Sequence, residues 1–258
     1  VTDNAPVLSA VNDVTTVSTT ENLEDVDFGI SFSIADADVS DVFDASHFTI
    51  SGDSANKFEI VADGDNWKLQ LRENQTLDFE DDGGSVVLTI LVSDGVHQSN
   101  VVSVTITVAD VNDNPPVLST SKTSATLVEN VNGADTGVIF TFTDADTPLG
   151  DFTSEHFRIS GDNSDKFEVV NENNVWKLKL KTGESLDYEQ GARFTLSIGL
   201  NDGTATSERV DIEITVTDVN DNTPVISLSD TSATIDESAS GVDTGIIITV
   251  SDDDAGTV

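Results

Sequence analysis

Apolar and polar residues alternate along most of the chain with a period of two. In residues 210–217 the apolar positions are Val210, Ile212, Ile214 and Val216. In residues 194–201 they are Phe194, Leu196, Ile198 and Leu200. Because successive side chains of a β-strand point to opposite faces of a sheet, this alternation predicts half-buried strands. No long segment carries the 3.6-residue period of an amphipathic helix.

The alternating segments belong to a longer repeat with a period of about 108 residues. The triplet Asp-Ala-Asp at 36–38 returns at 144–146 and, as Asp-Asp-Asp, at 252–254. The quartet Leu-Asp-Phe-Glu at 77–80 returns as Leu-Asp-Tyr-Glu at 186–189. The sequence therefore contains two complete copies and the first part of a third.

The first copy contains seven predicted strands, at residues 13–20, 28–34, 47–51, 58–61, 67–72, 86–93 and 101–109. Each is short and has one apolar face. About seven such strands in about 100 residues are typical of a two-sheet β-sandwich. The sequence therefore predicts an all-β protein built from tandem sandwiches.

The charge of the chain is strongly negative. Its 258 residues include 11 basic and 48 acidic ones, so the formal net charge is −37. This charge argues against nucleic acid and anionic membranes as partners. It is compatible with a uniformly acidic surface of the salt-adapted kind, with disorder, or with bound divalent cations. The regular apolar alternation argues against disorder, and the clustering of the acids favours cations.

The composition also limits how the chain is held together. There are no cysteines, which excludes disulfides and thiolate metal sites. No run of 18 apolar residues is present, so we expect no membrane insertion of this fragment. Both ends fall inside the repeating pattern, and we therefore expect the chain to be part of a longer protein.

The acidic residues form short motifs between the predicted strands. The most concentrated is Asp-Val-Asn-Asp-Asn-Pro-Pro at 110–116, which returns as Asp-Val-Asn-Asp-Asn-Thr-Pro at 218–224. A degenerate copy, Thr-Asp-Asn-Ala-Pro, lies at 2–6. Successive strand ends alternate between the two poles of a sandwich. Two sandwiches stacked end to end would therefore bring together the carboxylates of Glu21, Asp78, Glu80, Asp110, Asp113, Asp144, Asp146 and Asp202. Such crowding requires cations. Calcium accepts six to eight oxygen ligands in adaptable geometry and fits better than magnesium.

Five motifs together resemble the calcium motifs of tandem cadherin repeats, in the same order and near the same spacing. They are Glu-Asn at 21–22, Asp-Ala-Asp at 36–38, Leu-Asp-Phe-Glu at 77–80, Asp-Gly at 94–95 and the acidic linker at 110–116. The resemblance covers both complete copies and the partial third. It implies seven-stranded Greek-key, immunoglobulin-like sandwiches with about three calcium ions (Ca²⁺) at each junction.

The resemblance also implies which residues would bind calcium. The ligands of the first junction would be Glu21, Asp78, Glu80, Asp110, the Val111 carbonyl, Asn112, Asp113, the Asn114 carbonyl, Asp144, Asp146 and Asp202. Those of the second would be Glu129, Asp187, Glu189, Asp218, Val219, Asn220, Asp221, Asn222, Asp252 and Asp254. A half-site near the N-terminus would use Asp3, Asn4, Asp36, Asp38 and Asp94.

The same resemblance suggests a domain division. Residues 1–6 would be a remnant of a linker, 7–110 and 117–218 two complete repeats, 111–116 and 219–224 calcium-binding linkers, and 225–258 the start of a third repeat. We expect this last segment to be disordered or to pair with a neighbouring molecule, because no second sheet would cover Ile246, Ile248 and Val250.

The function that follows is structural rather than enzymatic. We expect a calcium-stiffened adhesion or presentation module of a secreted or cell-surface protein. Its partners would be calcium, neighbouring repeats and other cell-surface proteins or polysaccharides. Two alternatives stay open: a carbohydrate-binding module attached to an enzyme, and homophilic adhesion.

The sequence departs from animal cadherins in several places. Residues 39–45 and 147–152 replace a glycine-rich run that supplies a carbonyl ligand, and the segments around 51–53 and 67–69 are closer to large bacterial surface proteins. We therefore expect a bacterial source. There is no tryptophan near the N-terminus, so strand-exchange adhesion is not implied.

The remaining candidates have plainer interpretations. His47 and His156 are expected at a surface or rim, and His97 in a solvated turn. Trp67 and Trp176 begin equivalent strands, which favours packing against the core over stacking on a sugar. Asp53 and Asp162 follow Ser-Gly and are expected to form turns.

Overall fold

A computed structural model describes residues 3–38, 42–237 and 240–254. The chain divides into two compact units, residues 1–112 and 113–258. In the described residues, no helix is both long and apolar enough to span a bilayer.

The first unit is built almost entirely from short strands. They are β1 (Val7–Ala10), β2 (Thr16–Thr20), β3 (Asp27–Ala35), β4 (Phe48–Gly52), β5 (Phe58–Asp63), β6 (Asn66–Leu71), β7 (Ser85–Val92) and β8 (Val102–Ala109). One α-helical turn, α1 (Phe79–Asp82), lies between β6 and β7. Single 3-10 turns occur at Val11–Asp13, Ala45–His47 and Ala55–Lys57.

These strands form a sandwich of two four-stranded sheets, ordered β1-β3-β6-β5 and β2-β8-β7-β4. All pairs are antiparallel except β2 with β8. The first strand of the sandwich is divided, so that β1 lies in one sheet and β2 in the other. The break falls at Val11–Asp13, where Asn12 and Asp13 have φ angles of 56° and 58°. The predicted β-sandwich is confirmed, but the sequence prediction missed β1.

The period-two alternation places one face of each strand in the core. On β7, Val86, Leu88, Ile90 and Val92 are completely buried. They pack in one cluster with residues of the opposite sheet such as Phe32, Phe58 and Leu69. Burial of this apolar surface is the main force that holds the two sheets together.

The second unit repeats this plan. Its strands are β9 (Val117–Thr120), β10 (Ser124–Val128), β11 (Asp135–Thr143), β12 (Phe157–Gly161), β13 (Phe167–Glu172), β14 (Val175–Leu180), β15 (Arg193–Leu200), β16 (Val210–Thr217), β17 (Val225–Leu228) and β18 (Ile248–Ser251). Its 3-10 turns are Leu149–Asp151, Ser154–His156 and Ser164–Lys166. The sheets are ordered β13-β14-β11-β9 and β10-β16-β15-β12, and β10 pairs in parallel with β16.

The start of the third copy forms the antiparallel pair β17 and β18. The expected disorder is therefore not what the structure shows, because the two strands pair with each other. Their apolar side chains are nevertheless exposed, as expected for strands that no second sheet covers. Ile226 is 67% exposed and Ile248 is 65% exposed. Residues 238–239 and 255–258 of this segment lie outside the described residues.

The two tryptophans pack against the sandwich cores. The rings of Trp67 and Phe48 are 5.0 Å apart, and those of Trp176 and Phe157 are 5.2 Å apart. Both tryptophans are partly buried against their clusters. The predicted packing role is therefore confirmed.

The Ser-Gly-Asp triplets end β4 and β12 at positions that require glycine. Gly52 and Gly161 have φ angles of 113° and 108°. A Cβ on Gly161 would lie 2.2 Å from the Thr195 carbonyl oxygen, and one on Gly52 would lie 2.3 Å from that of Val87. Both the positive φ and the close approach of the neighbouring strand in the sheet, β7 or β15, exclude a side chain at these two positions.

Candidate metal centre

A buried glutamate lies at one pole of the first unit. Glu21 follows β2 and is only 2% exposed. Its Oε2 accepts a hydrogen bond from the Phe79 amide at 2.7 Å, and its Oε1 accepts one from the Val111 amide at 2.6 Å. One carboxylate thus joins the Leu-Asp-x-Glu motif to the start of the linker, although these segments are far apart in the sequence.

The second unit contains the same arrangement. Glu129 is 2% exposed and accepts hydrogen bonds from the amides of Tyr188 at 2.7 Å and Val219 at 2.6 Å. The two units differ in most of their residues but agree in these distances within 0.1 Å. The arrangement is therefore a property of the repeat.

Three carboxylates converge at this pole in each unit. Ligand oxygens of Glu21, Glu80 and Asp110 lie within 4.8 Å of one another in the first unit. Those of Glu129, Glu189 and Asp218 do so in the second. Oxygens at this separation can share one cation, because calcium binds its ligands at about 2.3–2.6 Å.

The crowding of negative charge affects proton affinity at this pole. Local desolvation by neighbouring atoms raises the pKa of Glu189, although the residue is exposed, and the charges of Glu129 and Asp187 raise it further. Burial acts in the same direction on Asp187, but hydrogen bonds from Gln190 outweigh it and hold the pKa of Asp187 below its usual value. A cation would remove the penalty on Glu189 by favouring the ionised form.

The opposite pole of each sandwich carries aspartates that use only one oxygen. Oδ1 of Asp144 accepts hydrogen bonds from the amides of Asp146 at 3.0 Å and Thr147 at 2.7 Å. Oδ1 of Asp202 accepts from Thr204 and Ala205 at 2.6 and 2.7 Å. The other oxygen, Oδ2, is buried in both residues and has no hydrogen-bond partner within the described part of the chain.

The first unit repeats this asymmetry at Asp36 and Asp94. Oδ1 of Asp36 accepts from the Asp38 amide at 2.9 Å. The amides of His97 and Val96 bond to Oδ1 of Asp94 and hold its pKa below the usual value. Among the residues described here, none donates a hydrogen bond to the buried Oδ2 of either aspartate. A buried carboxylate oxygen without a partner is costly, so these four residues fit a cation.

The second aspartate of each Asp-x-Asp triplet holds a linker segment. Oδ2 of Asp146 accepts hydrogen bonds from the amides of Asp113 and Asn114, at 2.9 and 2.7 Å. Asp254 accepts from the amides of Asp221 and Asn222, and Asp38 accepts from that of Asn4. Burial opposes the ionisation of Asp254, but the hydrogen bonds from Asn222 and Asp221 keep its pKa below the usual value.

The other predicted ligands lie around these groups. Asp78 caps α1 by accepting from the Asp81 amide at 2.8 Å. Asp113 and Asp221 each accept a hydrogen bond from the side-chain amide of the following asparagine. Oδ1 of Asp252 accepts from the Asp254 amide at 3.2 Å. Asn112 is half-buried, whereas Asn220 is exposed.

The sequence prediction missed one member of these clusters. Nδ1 of His97 lies 3.3 Å from Oδ2 of Asp3, and the two residues converge with Asp94. The equivalent position in the second unit is Ala205, so the repeat gave no signal for it. The only hint was that His97 stands three residues after Asp94.

Comparisons with known proteins identify sequences that are similar to this chain. A family model of the cadherin domain matches residues 123–217. The chain is 30% identical over 195 residues to protocadherin gamma-A6 of Homo sapiens, and the alignment covers 74% of the chain and 20% of that protein. It is 30% identical over 187 residues to mouse cadherin-related family member 2, covering 69% of the chain and 14% of the relative. The chain thus spans about a fifth or less of these proteins.

Solved structures show the same fold. A protocadherin gammaB7 EC3-6 cis-dimer structure aligns with 98% of the chain and 57% of its own, with a TM-score of 0.61 and 23% identity. Mouse cadherin-23 EC22-24 aligns with 98% of the chain and 80% of its own, with a TM-score of 0.59 and 20% identity. These relatives are animal proteins, so they do not support the expected bacterial source. Residues 123–217 are therefore a cadherin domain, and the chain as a whole is similar to cadherins in its motifs and its fold.

Proposed function

We propose that the chain is a calcium-binding structural and adhesive module of a longer secreted or cell-surface protein. The observation that carries the proposal is the set of buried Oδ2 atoms of Asp36, Asp94, Asp144 and Asp202, for which no described residue provides a hydrogen bond. All four residues occupy ligand positions that the cadherin motifs imply. The same feature in both units is what a repeated cation site requires.

The donor set favours calcium over other metals. Carboxylate, amide and carbonyl oxygens surround each pole, and the chain has no cysteine. Such hard ligands suit calcium and magnesium rather than zinc or copper. Calcium is the better match because it accepts many protein oxygens, including bidentate carboxylates, whereas magnesium keeps several of its waters.

In this proposal each linker and its flanking motifs share the ions. The first group of ligands comprises Glu21, Asp78, Glu80, Asp110, the Val111 carbonyl, Asn112, Asp113, the Asn114 carbonyl, Asp144, Asp146 and Asp202. The second comprises Glu129, Asp187, Glu189, Asp218, Val219, Asn220, Asp221, Asn222, Asp252 and Asp254. Asp3, Asn4, Asp36, Asp38 and Asp94 would form a further half-site. Bound calcium would neutralise the carboxylates and restrict motion of the linkers.

Restricted linkers would give the module its mechanical role. Without calcium, the like charges of each group repel one another and favour separation of neighbouring repeats. With calcium, the ions cross-link the linker to both repeats. Small-angle scattering in chelator and in about 2 mM calcium tests this idea, because extracellular calcium modules have dissociation constants of about 10⁻⁴–10⁻³ M. We expect a narrower distribution of conformations in calcium. Superimposable profiles from folded repeats would contradict the stiffening role.

Self-association is the second candidate function, because the chain is similar to cadherins, which are adhesion proteins. Sedimentation of the chain in calcium and in chelator is the appropriate test. A calcium-dependent dimer would support homophilic adhesion by these repeats. A monomer in both conditions would leave adhesion to other parts of the longer protein. The comparisons give no support to a carbohydrate-binding module or to an enzyme.

A further inference from the structure

A buried aspartate in the first unit has no role in the proposed ligand set. The side chain of Asp82 is only 4% exposed. Asp82 ends α1, four residues after Asp78, and belongs to a run of acids at 80–82. A buried carboxylate this close to proposed metal ligands requires partners of its own.

Asp82 binds the Asp78 backbone from both sides. The Asp78 amide donates a hydrogen bond to Oδ2 of Asp82 at 2.9 Å. The Asp82 amide donates to the Asp78 carbonyl at 2.8 Å. The side chain of Asp78 meanwhile caps the Asp81 amide. The backbone of a proposed ligand is therefore fixed at its N–H and at its C=O.

Asp82 is in turn anchored to a different part of the sandwich. Its carboxylate accepts hydrogen bonds from the Lys57 ammonium and the Ser54 hydroxyl. Lys57 lies in the 3-10 turn between β4 and β5, and its carbonyl accepts from the Arg72 amide at 2.8 Å. Lys57 also neutralises Asp82, so this carboxylate does not compete for a cation.

The second unit keeps the lysine but lacks the acid. Lys166 lies in the equivalent 3-10 turn, and its ammonium donates to the Ser185 carbonyl at 3.0 Å. The residue four positions after Asp187 is Gly191. Oδ2 of Asp187 instead accepts a hydrogen bond from the Gln190 side chain at 2.7 Å. A cation would have to compete with this amide for Asp187.

We infer that Asp82, with Lys57 and Ser54, is a positioning residue that pre-organises Asp78 and Glu80 for calcium in the first unit and makes that set of ligands bind more tightly than the Asp187 and Glu189 set. The inference rests on the proposed calcium function. Groups that hold metal ligands in place typically change metal affinity by about 10–100-fold when they are removed. Because Asp82 acts through backbone atoms, the lower end of this range is expected.

The test is a calcium titration of the full chain that is monitored through the amide NMR signals of Phe79 and Tyr188. These amides donate to Glu21 and Glu129 respectively, so they are matched reporters of the two units. Asp82→Ala should raise the half-saturating calcium concentration at Phe79 by about tenfold and leave that at Tyr188 unchanged. Asp53→Ala removes an acid from the same unit outside the cluster and should move neither value.

A second variant introduces the corresponding positioning carboxylate into the second unit. Gly191→Asp places a carboxylate at the sequence position that corresponds to Asp82, and a Cβ at this position meets no atom within 4 Å. It should lower the half-saturating concentration at Tyr188 severalfold and leave that at Phe79 unchanged. This variant adds a group to a unit that already folds without it, so it remains informative if Asp82→Ala folds poorly.

Several outcomes would overturn the inference. Asp82→Ala would do so if it left the Phe79 value unchanged, moved both reporters equally, or lowered only the melting temperature in chelator. An unchanged Tyr188 value in Gly191→Asp would also count against it. A wild-type chain without any calcium response would overturn the proposed function as well. A normal wild-type response with no effect of Asp82→Ala would overturn only the positioning role of Asp82.

Discussion

The Val219 amide donates a hydrogen bond to Oε1 of Glu129 at 2.6 Å, although 90 residues separate them in the sequence. This bond ties the start of a linker to the beginning of its own sandwich. The Glu21–Val111 pair does the same in the first unit, also at 2.6 Å. The linker therefore begins at a fixed position, and this holds the acids that follow it close to the pole.

Glu129→Gln tests the importance of this buried carboxylate. A glutamine has only one acceptor oxygen. One of the two backbone amides that now donate to Glu129 would therefore face an NH₂ group. In calcium we expect a loss of about 2–3 kcal/mol of unfolding free energy. In chelator the loss should be smaller, because removing a charge relieves repulsion from Glu189 and Asp218. Urea denaturation in both conditions measures the difference. Glu213→Gln, at an exposed position, is the control, and equal losses in the two conditions would contradict the account.

Asp113→Ala tests the ligand assignment in the first linker. A cation that binds only the folded chain raises its melting temperature by mass action. We expect calcium to raise the melting temperature of the wild type, and Asp113→Ala to reduce this rise more than Asp53→Ala does. Thermal unfolding with and without calcium provides the measurement. Equal reductions in the two variants would mean that the ligand assignment is wrong.

Gly161→Ala tests the close approach of β12 and β15. The new Cβ would lie 2.2 Å from the Thr195 carbonyl oxygen at a backbone φ of 108°. We expect destabilisation by at least about 1–3 kcal/mol, since backbone strain alone has this size. Gly150→Ala is the matched control, because its Cβ would meet no atom within 4 Å. Comparable stability of the two variants in urea would refute the packing described for this strand end.

Glu172 offers a pH test that does not involve metal. Hydrogen bonds from Lys179 and Lys177 hold the pKa of the Glu172 carboxyl below its usual value. Because the folded-state pKa is lowered, this contribution to stability is present above the unfolded-state pKa and is lost as the pH falls through the folded-state value. An NMR titration of the carboxyl carbon should show the lowered pKa. Lys179→Met should raise it toward normal, and an unchanged value would exclude the ion pair in solution.

The sequence predicted the strands of the sandwich well because their signal is local. The predicted strands at 28–34, 86–93 and 101–109 correspond to β3 (Asp27–Ala35), β7 (Ser85–Val92) and β8 (Val102–Ala109). In these strands alternate residues are buried, so the periodicity reports directly on the fold. The strand β1 was missed because it has four residues and only Leu8 is buried. Its pairing with β3 and the two hydrogen bonds between Leu8 and Asn100 are long-range features.

The acidic motifs were visible in the sequence because the repeat shows them twice. The groups that hold them in place were not. Asp82 and Lys57 are 25 residues apart, and Asp82 looks like one more acid in an acidic run. His97 has no counterpart in the second unit. Neither residue follows a period, and their roles depend on contacts that only the folded chain creates.

Calorimetric titration of the metal-free chain with calcium tests the central claim most directly. We expect saturable uptake with dissociation constants of about 10⁻⁴–10⁻³ M, the range of extracellular calcium modules. The double variant Asp144→Asn, Asp202→Asn should bind fewer ions, because it alters two of the aspartates whose buried Oδ2 atoms have no hydrogen bond from any described residue. The absence of calcium uptake by the wild type at millimolar concentration, or an unchanged stoichiometry in the double variant, would contradict the account.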